Sequence, residues 1–405
     1  MIELSYIAII LLGIIGYALL SSVIESSIIT LPMYFATFGW LIGEGGVGIV
    51  PIHIENEVIH VVAEITLVLI LFSDASRVNF RQLTQNYTIA VRMLLIGMPL
   101  TIIVGSVLAH WVSPEASWAL ALLVAAILTP TDAALGQTVV SSESVPLPIR
   151  QSINVESGLN DGLALPVVLI AALAATRAAG FDVDGVPDSL WFFALGQVTL
   201  GPLAGVLIGY LFAQILNVAV TRKMTTEIFQ GIYFLATAFL AFVVAEMIGG
   251  NGLIAAFVGG LAFGNTLKCS RSFIDEFMES EGQLLTIFTF MIFGAVMIPL
   301  GIAHATWQTV VLALLFLTVI RMVPIILSLG GSGLNVYEKC FLGWFGPRGV
   351  ASILFTLLVL EQFNVPRAEE ILACVVLTVI LSIVLHGISA KPLSAWIARR
   401  AHKLN

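Results

Sequence analysis

Two carboxylates lie in the segment Asn154-Val155-Glu156-Ser157-Gly158-Leu159-Asn160-Asp161-Gly162, inside a run apolar enough to cross a bilayer. An ionisable side chain at membrane depth is costly to hold and by default marks function. If the run enters as a helix near residue 149, Asp161 lies about 18 Å along it at ~1.5 Å per residue, close to the bilayer middle. Helical spacing sorts the polar groups onto separate faces. Ser157 and Asp161, four apart, share one face, and Glu156 with Asn160 forms a second pair rotated by about 100°. One face offers a hydroxyl and a carboxylate to a cation. The other offers a carboxylate and an amide to a fixed partner.

A second polar set, Thr129-Pro130-Thr131-Asp132-Ala133, closes an apolar run. Pro130 removes a backbone donor and clashes one turn back, freeing carbonyl oxygen near residue 126. Broken backbone at membrane depth is tolerated only where it is buried in protein or lines a wet cavity. Freed carbonyls, the threonine hydroxyls and Asp132 are hard oxygen ligands, suited to a small alkali cation and poorly matched to a soft transition metal. A third set, Gly346-Pro347-Arg348-Gly349, interrupts another apolar run.

These sets must be positioned by membrane helices. The chain of 405 residues is 59% hydrophobic and 10% charged, with a mean hydropathy of +1.04. A soluble domain carries about 25% charged residues. The apolar runs have the length an α-helix needs to span the hydrocarbon, and no short alternating β-barrel segments occur. We read an all-α polytopic protein with thirteen spans: 4–24, 28–50, 57–74, 88–112, 115–137, 149–176, 190–216, 228–248, 251–267, 280–300, 307–329, 338–361 and 368–397. The first has no Lys or Arg before it, unlike a secretory signal. Connections are short, and residues 1–405 read as one transmembrane domain without a soluble regulatory domain.

With the N-terminus outside and the C-terminus cytoplasmic, Arg77, Arg81, Arg92, Arg150, Arg222, Lys223, Lys268, Arg271, Lys339, Lys391, Arg399, Arg400 and Lys403 fall on the inner side. Only Arg177 and Arg367 fall outside, where the loop 177–189 carries Asp182, Asp184 and Asp188. That bias sets the orientation in a cell membrane. Arg321 and Arg348 remain inside spans and need partners. No basic stripe suggests nucleic acid. Cys269, Cys340 and Cys374 are scattered and read as apolar fillers. No HExxH or other nucleophile–base set argues for an enzyme, and no cofactor is implied.

Spans 1–6 and 8–13 form two six-helix halves, so the interrupted spans 5 and 12 are equivalent members running in opposite directions. Paired interruptions point to an inverted-repeat transporter with its site at the midplane, where Arg348 could offset the negative ends of broken helices. The small-residue stretch 249–264 lacks the lysine of a phosphate loop and reads as close helix packing.

The residues ESGLNDG at 156–162, TPTDA at 129–133 and GPRG at 346–349, with thirteen spans, resemble the monovalent cation:proton antiporters of the NhaP and NHE type over nearly the whole chain. The resemblance implies crossed discontinuous helices, a core of about 88–176 and 307–397, and a dimerisation scaffold of about 1–87 and 190–300. Asp161 resembles the cation- and proton-binding carboxylate, with Asp132, Thr131 and Ser157 coordinating Na+ beside it. Glu156 resembles the acid paired with an arginine of span 11, here Arg321. Asp74 matches a carboxylate near the cytoplasmic funnel. Asn160 marks the asparagine–aspartate branch, implying electroneutral exchange. Ala133 departs from the proline found there in many relatives, with Pro130 taking the break.

The expected activity is exchange of Na+ or Li+ for H+ by a homodimer, contributing to pH homeostasis. A K+/H+ exchanger is the nearest alternative and a cation channel a remote one. Asp132, placed by residue count near the inner surface, could instead cap a helix end. Asp74 and Arg77 could be an ordinary interfacial helix end. Glu64 and Glu246, intramembrane acids without an evident basic partner, read as conduit residues. His53, His60, His110 and His304 read as interfacial.

Overall fold

The computed structural model describes residues 4–49, 57–79, 88–142, 144–181, 190–270 and 272–401. Arg81, Arg271, Lys403, His53 and the acids Asp182, Asp184 and Asp188 lie outside them. Among the described residues the chain is all helix and coil. Nine helices are long and apolar enough to cross a membrane, and four shorter apolar ones bring the crossings to thirteen.

In chain order the helices are α1 (Leu4–Ser26), α2 (Leu31–Ile42), α3 (Glu57–Ser76) and α4 (Thr88–Val112). Then come α5 (Trp118–Leu128), α6 (Ala133–Val140), α7 (Leu147–Ala178), α8 (Leu190–Thr221), α9 (Glu227–Met247) and α10 (Gly252–Thr266). The last are α11 (Ser272–Ala303), α12 (Trp307–Ser328), α13 (Val336–Trp344), α14 (Val350–Gln362) and α15 (Ala368–Ala401).

Among the differences from the sequence reading, three have a local reason. α2 is shorter than 28–50. Thr30 caps its start by accepting from Met33 N–H, and the glycine-rich tract after Ile42 folds into turns closed by Gly46 N–H on Gly43 O and Val47 N–H on Leu41 O. α11 starts eight residues before the expected 280, because Ile274 and Met278, one turn apart, are buried while Glu276 and Glu279 face out. Counting charges hides such an amphipathic entry. The fifth span is two helices, with Asp132 at the break and α6 continuing beyond it for eight residues. The residue count that placed Asp132 near the inner surface assumed a straight helix, whereas Asp132 lies at the break and caps the start of α14.

The break follows from Pro130, which has no N–H to give Ala126 O. α5 stops at Leu128, and Thr129 Oγ1 turns back to Ala125 O at 2.7 Å. The twelfth span breaks between Trp344 and Val350 around Pro347. The two breaks meet: Asp132 N–H donates to Pro347 O at 2.8 Å. Spans 5 and 12, equivalent in the two halves, are therefore crossed discontinuous helices.

Around this crossing, small residues set helix distances. α10 packs its glycines against both α3 and α8. A Cβ on Gly260 would strike the backbone of Phe72, and one on Gly209 the backbone of Gly259. Removing side chains there lets backbones approach without lipid between them.

Candidate functional site

Crossing leaves four helix ends inside the protein, two with unpaired N–H groups and two with unpaired C=O groups. One charged side chain serves each kind. Asp132 Oδ2 accepts from Val350 N–H at 2.7 Å, capping α14 from another helix, while Asp132 O accepts from Gly136 N–H in the first turn of α6. Both N-terminal ends carry partial positive charge, which a carboxylate offsets. Gly349 permits this cap, since a Cβ there would collide with the Asp132 carboxylate.

Arg348, with none of its surface exposed, serves the C-terminal ends. Its Nε donates to Leu128 O, the last residue of α5, at 2.6 Å, and its Nη1 donates to Gly346 O just beyond α13. Ser352 Oγ takes the neighbouring Ile127 O at 2.9 Å. The carbonyls at 127 and 128 thus each accept from a protein donor. No carboxylate among the described residues lies within ion-pair distance of Arg348.

Beside the crossing, α7 presents its two polar faces. Asn160 Nδ2 donates to Thr131 Oγ1 at 2.6 Å, and Thr131 Oγ1 lies 3.1 Å from Ser157 Oγ. Asn160 Oδ1 is buried without a hydrogen-bond partner. So is Asp161 Oδ1, and no hydrogen bond or ion pair among the described residues reaches the Asp161 side chain. The charges nearest to it are like charges, those of Asp74 and Asp132.

Asp74, Asp132, Ser157 and Asp161 all line one cavity of about 1240 Å³. It extends past Arg77, Ser141, Ser142 and Lys391. Asp74 sits across from α7, with its backbone carbonyl 3.6 Å from where a Cβ on Gly158 would be. Half-buried on the cavity wall, Asp161 reaches water on one side and protein on the other.

On the opposite face of α7, Glu156 meets Arg321 in a bidentate pair, Nη1 to Oε1 at 2.5 Å and Nη2 to Oε2 at 2.7 Å. Both residues are 1% exposed. The Arg321 guanidinium also packs directly on Gly346, so the pair buttresses the break between α13 and α14. α12 is irregular at Thr318, a turn before Arg321, where Pro324 leaves Ile320 O without its helical donor.

Three residues at the crossing carry no motif: Ser352, Ser382 and His386. Thr378, Ser382 and His386 follow one another at four-residue spacing on one face of α15, and Ser352 and Thr356 do so on α14, but that spacing marks only a buried polar face, and contact with a break gives it a role. Glu246 Oε1 accepts from Gly252 N–H at 2.7 Å, at the start of α10. Glu64 is grouped with Glu361 and Glu246, away from the cavity. His60 pairs with Glu361 at 3.4 Å and His304 with Glu369 at 3.3 Å, while His110 stacks on Trp118.

Comparison with known proteins bears on the family and the fold. The K(+)/H(+) antiporter NhaP of Alkalimonas amylolytica is 25% identical over 96% of this chain and 67% of its own length. The Na(+)/H(+) antiporter NhaG of Bacillus atrophaeus is 26% identical over 67% of this chain and 52% of its own. The chain thus spans between half and two thirds of these relatives. The sodium proton antiporter MjNhaP1 from Methanocaldococcus jannaschii shares the fold with a TM-score of 0.78, at 19% identity and 97% coverage of both chains. The family described as "Sodium/hydrogen exchanger, transmembrane" matches residues 7–396, and the chain belongs to that family.

Proposed function

We propose that this protein exchanges Na+ or Li+ for H+ across a membrane, with cation and proton competing for Asp161. One observation carries the reading: a carboxylate that no hydrogen bond or ion pair among the described residues reaches lies on the wall of a cavity of about 1240 Å³, beside two crossed helix breaks. Keeping such a group ionised away from bulk water is costly, and either a proton or an alkali cation relieves the cost. The two ligands therefore exclude one another. Thr131, Ser157 and Asp132 supply the remaining hard oxygens for Na+. Asp132 also holds the start of α14, so a cation drawn to it pulls on the broken helix. Asn160, an amide where a second carboxylate would add a charge, supports electroneutral one-for-one exchange.

Coupling then needs only that the neutralised site changes sides readily and the empty charged site does not. The moving part is the core, about 88–176 and 307–397, which contains both breaks and α7. It moves against a scaffold, about 1–87 and 190–300, that also forms a homodimer. With N-out, C-in orientation the cavity opens to the cytoplasm, since Arg77 and Lys391 line it, and Asp74 stands on the ion's route.

Everted vesicles test the assignment. Asp161→Asn should abolish cation-induced dissipation of a proton gradient at unchanged protein level; an active variant would sink it. A K+/H+ exchanger is the second reading, supported by the name of the Alkalimonas relative. Proton release from proteoliposomes on adding Na+, Li+ or K+ ranks the three.

A further inference from the structure

The break between α13 and α14 is not held by its own backbone. Phe345, at φ −78 and ψ 69, forms an inverse γ-turn in which Gly346 N–H donates to Trp344 O at 2.8 Å. One lone pair of Trp344 O remains, and the N–H that would extend the helix, that of Arg348, goes elsewhere: it donates to Ser382 Oγ at 2.7 Å. Both loose ends are met by one turn of α15. His386 Nε2 lies 2.8 Å from Trp344 O, and His386 Nδ1 lies 3.3 Å from Ser382 Oγ and 3.0 Å from Ser382 O.

The proton positions follow from the partners. Nε2 has a carbonyl, Trp344 O, as its partner at 2.8 Å, so the neutral tautomer that makes this bond carries its proton on Nε2. Nδ1 then accepts from Ser382 Oγ, the oxygen that accepts from Arg348 N–H. Trp344 O thereby accepts twice, from Gly346 N–H and from the ring. A doubly protonated ring would add a buried positive charge beside Arg348 and Arg321, where the one carboxylate, Glu156, is already paired with Arg321. The indole of Trp344 stacks on the ring at 5.1 Å, and its Nε1 donates to Ser389 Oγ at 2.9 Å, so α15 grips the break at three levels.

We propose that His386 is a positioning residue for ion exchange: by clamping the γ-turn at Trp344 and, through Ser382, the N–H of Arg348, it sets where α14 begins and hence where Asp132 is held. Asp132 is anchored by Val350 N–H, two residues beyond Arg348. The proposal rests on the reading that Asp132 and Asp161 bind the cation. In this role His386 acts through its hydrogen bonds as a neutral ring, not through a change of charge.

The test is exchange in proteoliposomes with Na+ and K+ as probes, scored as half-saturating concentration and maximal rate per folded protein. His386→Leu should raise half-saturation roughly tenfold, the worth of about 1.4 kcal/mol, or one buried hydrogen bond. His386→Gln, whose amide can donate and accept, should stay within about twofold of the parent, with the same pH profile. A His386→Leu variant that loses folded yield but keeps its half-saturation shows packing alone and overturns the proposal. A pH profile shifted in His386→Gln shows a titrating histidine and overturns it equally. Should His386→Leu not fold, Ser382→Ala cuts the same link, and an unchanged half-saturation there is decisive against the clamp. Asp161→Asn run alongside separates the two ideas: full activity in that variant sinks the ion site, whereas normal affinity in His386→Leu sinks only the clamp.

Discussion

Breaking the Glu156–Arg321 pair should cost more from one side than from the other. The two hydrogen bonds of 2.5 and 2.7 Å place the charge centres roughly 4 Å apart, worth about 4 kcal/mol at an effective dielectric constant of ~20. Removing one partner of a buried pair leaves the other uncompensated, at about 3–5 kcal/mol. Arg348 makes the two losses unequal, since it is electrostatically coupled to both Glu156 and Arg321. In Arg321→Gln, Glu156 still feels that cation. In Glu156→Gln, two buried arginines face each other without their carboxylate. Glu156→Gln should therefore be the more damaging, and the double variant should lose less than the sum of the singles by at least ~2 kcal/mol. Fraction folded against SDS mole fraction in detergent micelles measures all four corners of the cycle. Additive losses, or a milder Glu156→Gln, would refute this account of the buried charges.

Other outcomes follow from the crossing. Gly349→Ala puts a methyl group where the Asp132 carboxylate sits, so half-saturating Na+ should rise at least tenfold in proteoliposomes while the protein still folds. Asp132→Asn keeps an oxygen for Val350 N–H but loses the charge; thermal stability in the absence of Na+ should change little, and stabilisation by Na+ should shrink. Arg348→Met strips donors from Leu128 O and Gly346 O, at about 1–3 kcal/mol for each buried group left unpaired, read as earlier unfolding in SDS. If proton and cation compete for Asp161, half-saturating Na+ should climb toward tenfold per unit fall in pH once the protonated form dominates. A pH-independent value contradicts direct competition.

Helical periodicity and the solvent were enough to determine several things from the chain alone. Ser157 and Asp161 fall on one face of α7 and Glu156 and Asn160 on another because the helix repeat is local. Pro130 and Pro347 announce interruptions because a missing N–H is a covalent fact. Apolar runs of bilayer length yield thirteen crossings because lipid leaves backbone groups no other partner. Tertiary structure decided who meets whom. Asp132 caps Val350 and Arg348 reaches Leu128 across 218 and 220 residues of sequence, distances at which no local spacing carries information. Asp132 moved from the end of a presumed straight span to the crossing for that reason. His386 shows the limit most plainly: the four-residue spacing of Thr378, Ser382 and His386 marks one polar face of α15, but what that face meets, a γ-turn carbonyl 42 residues earlier, is set by the tertiary structure.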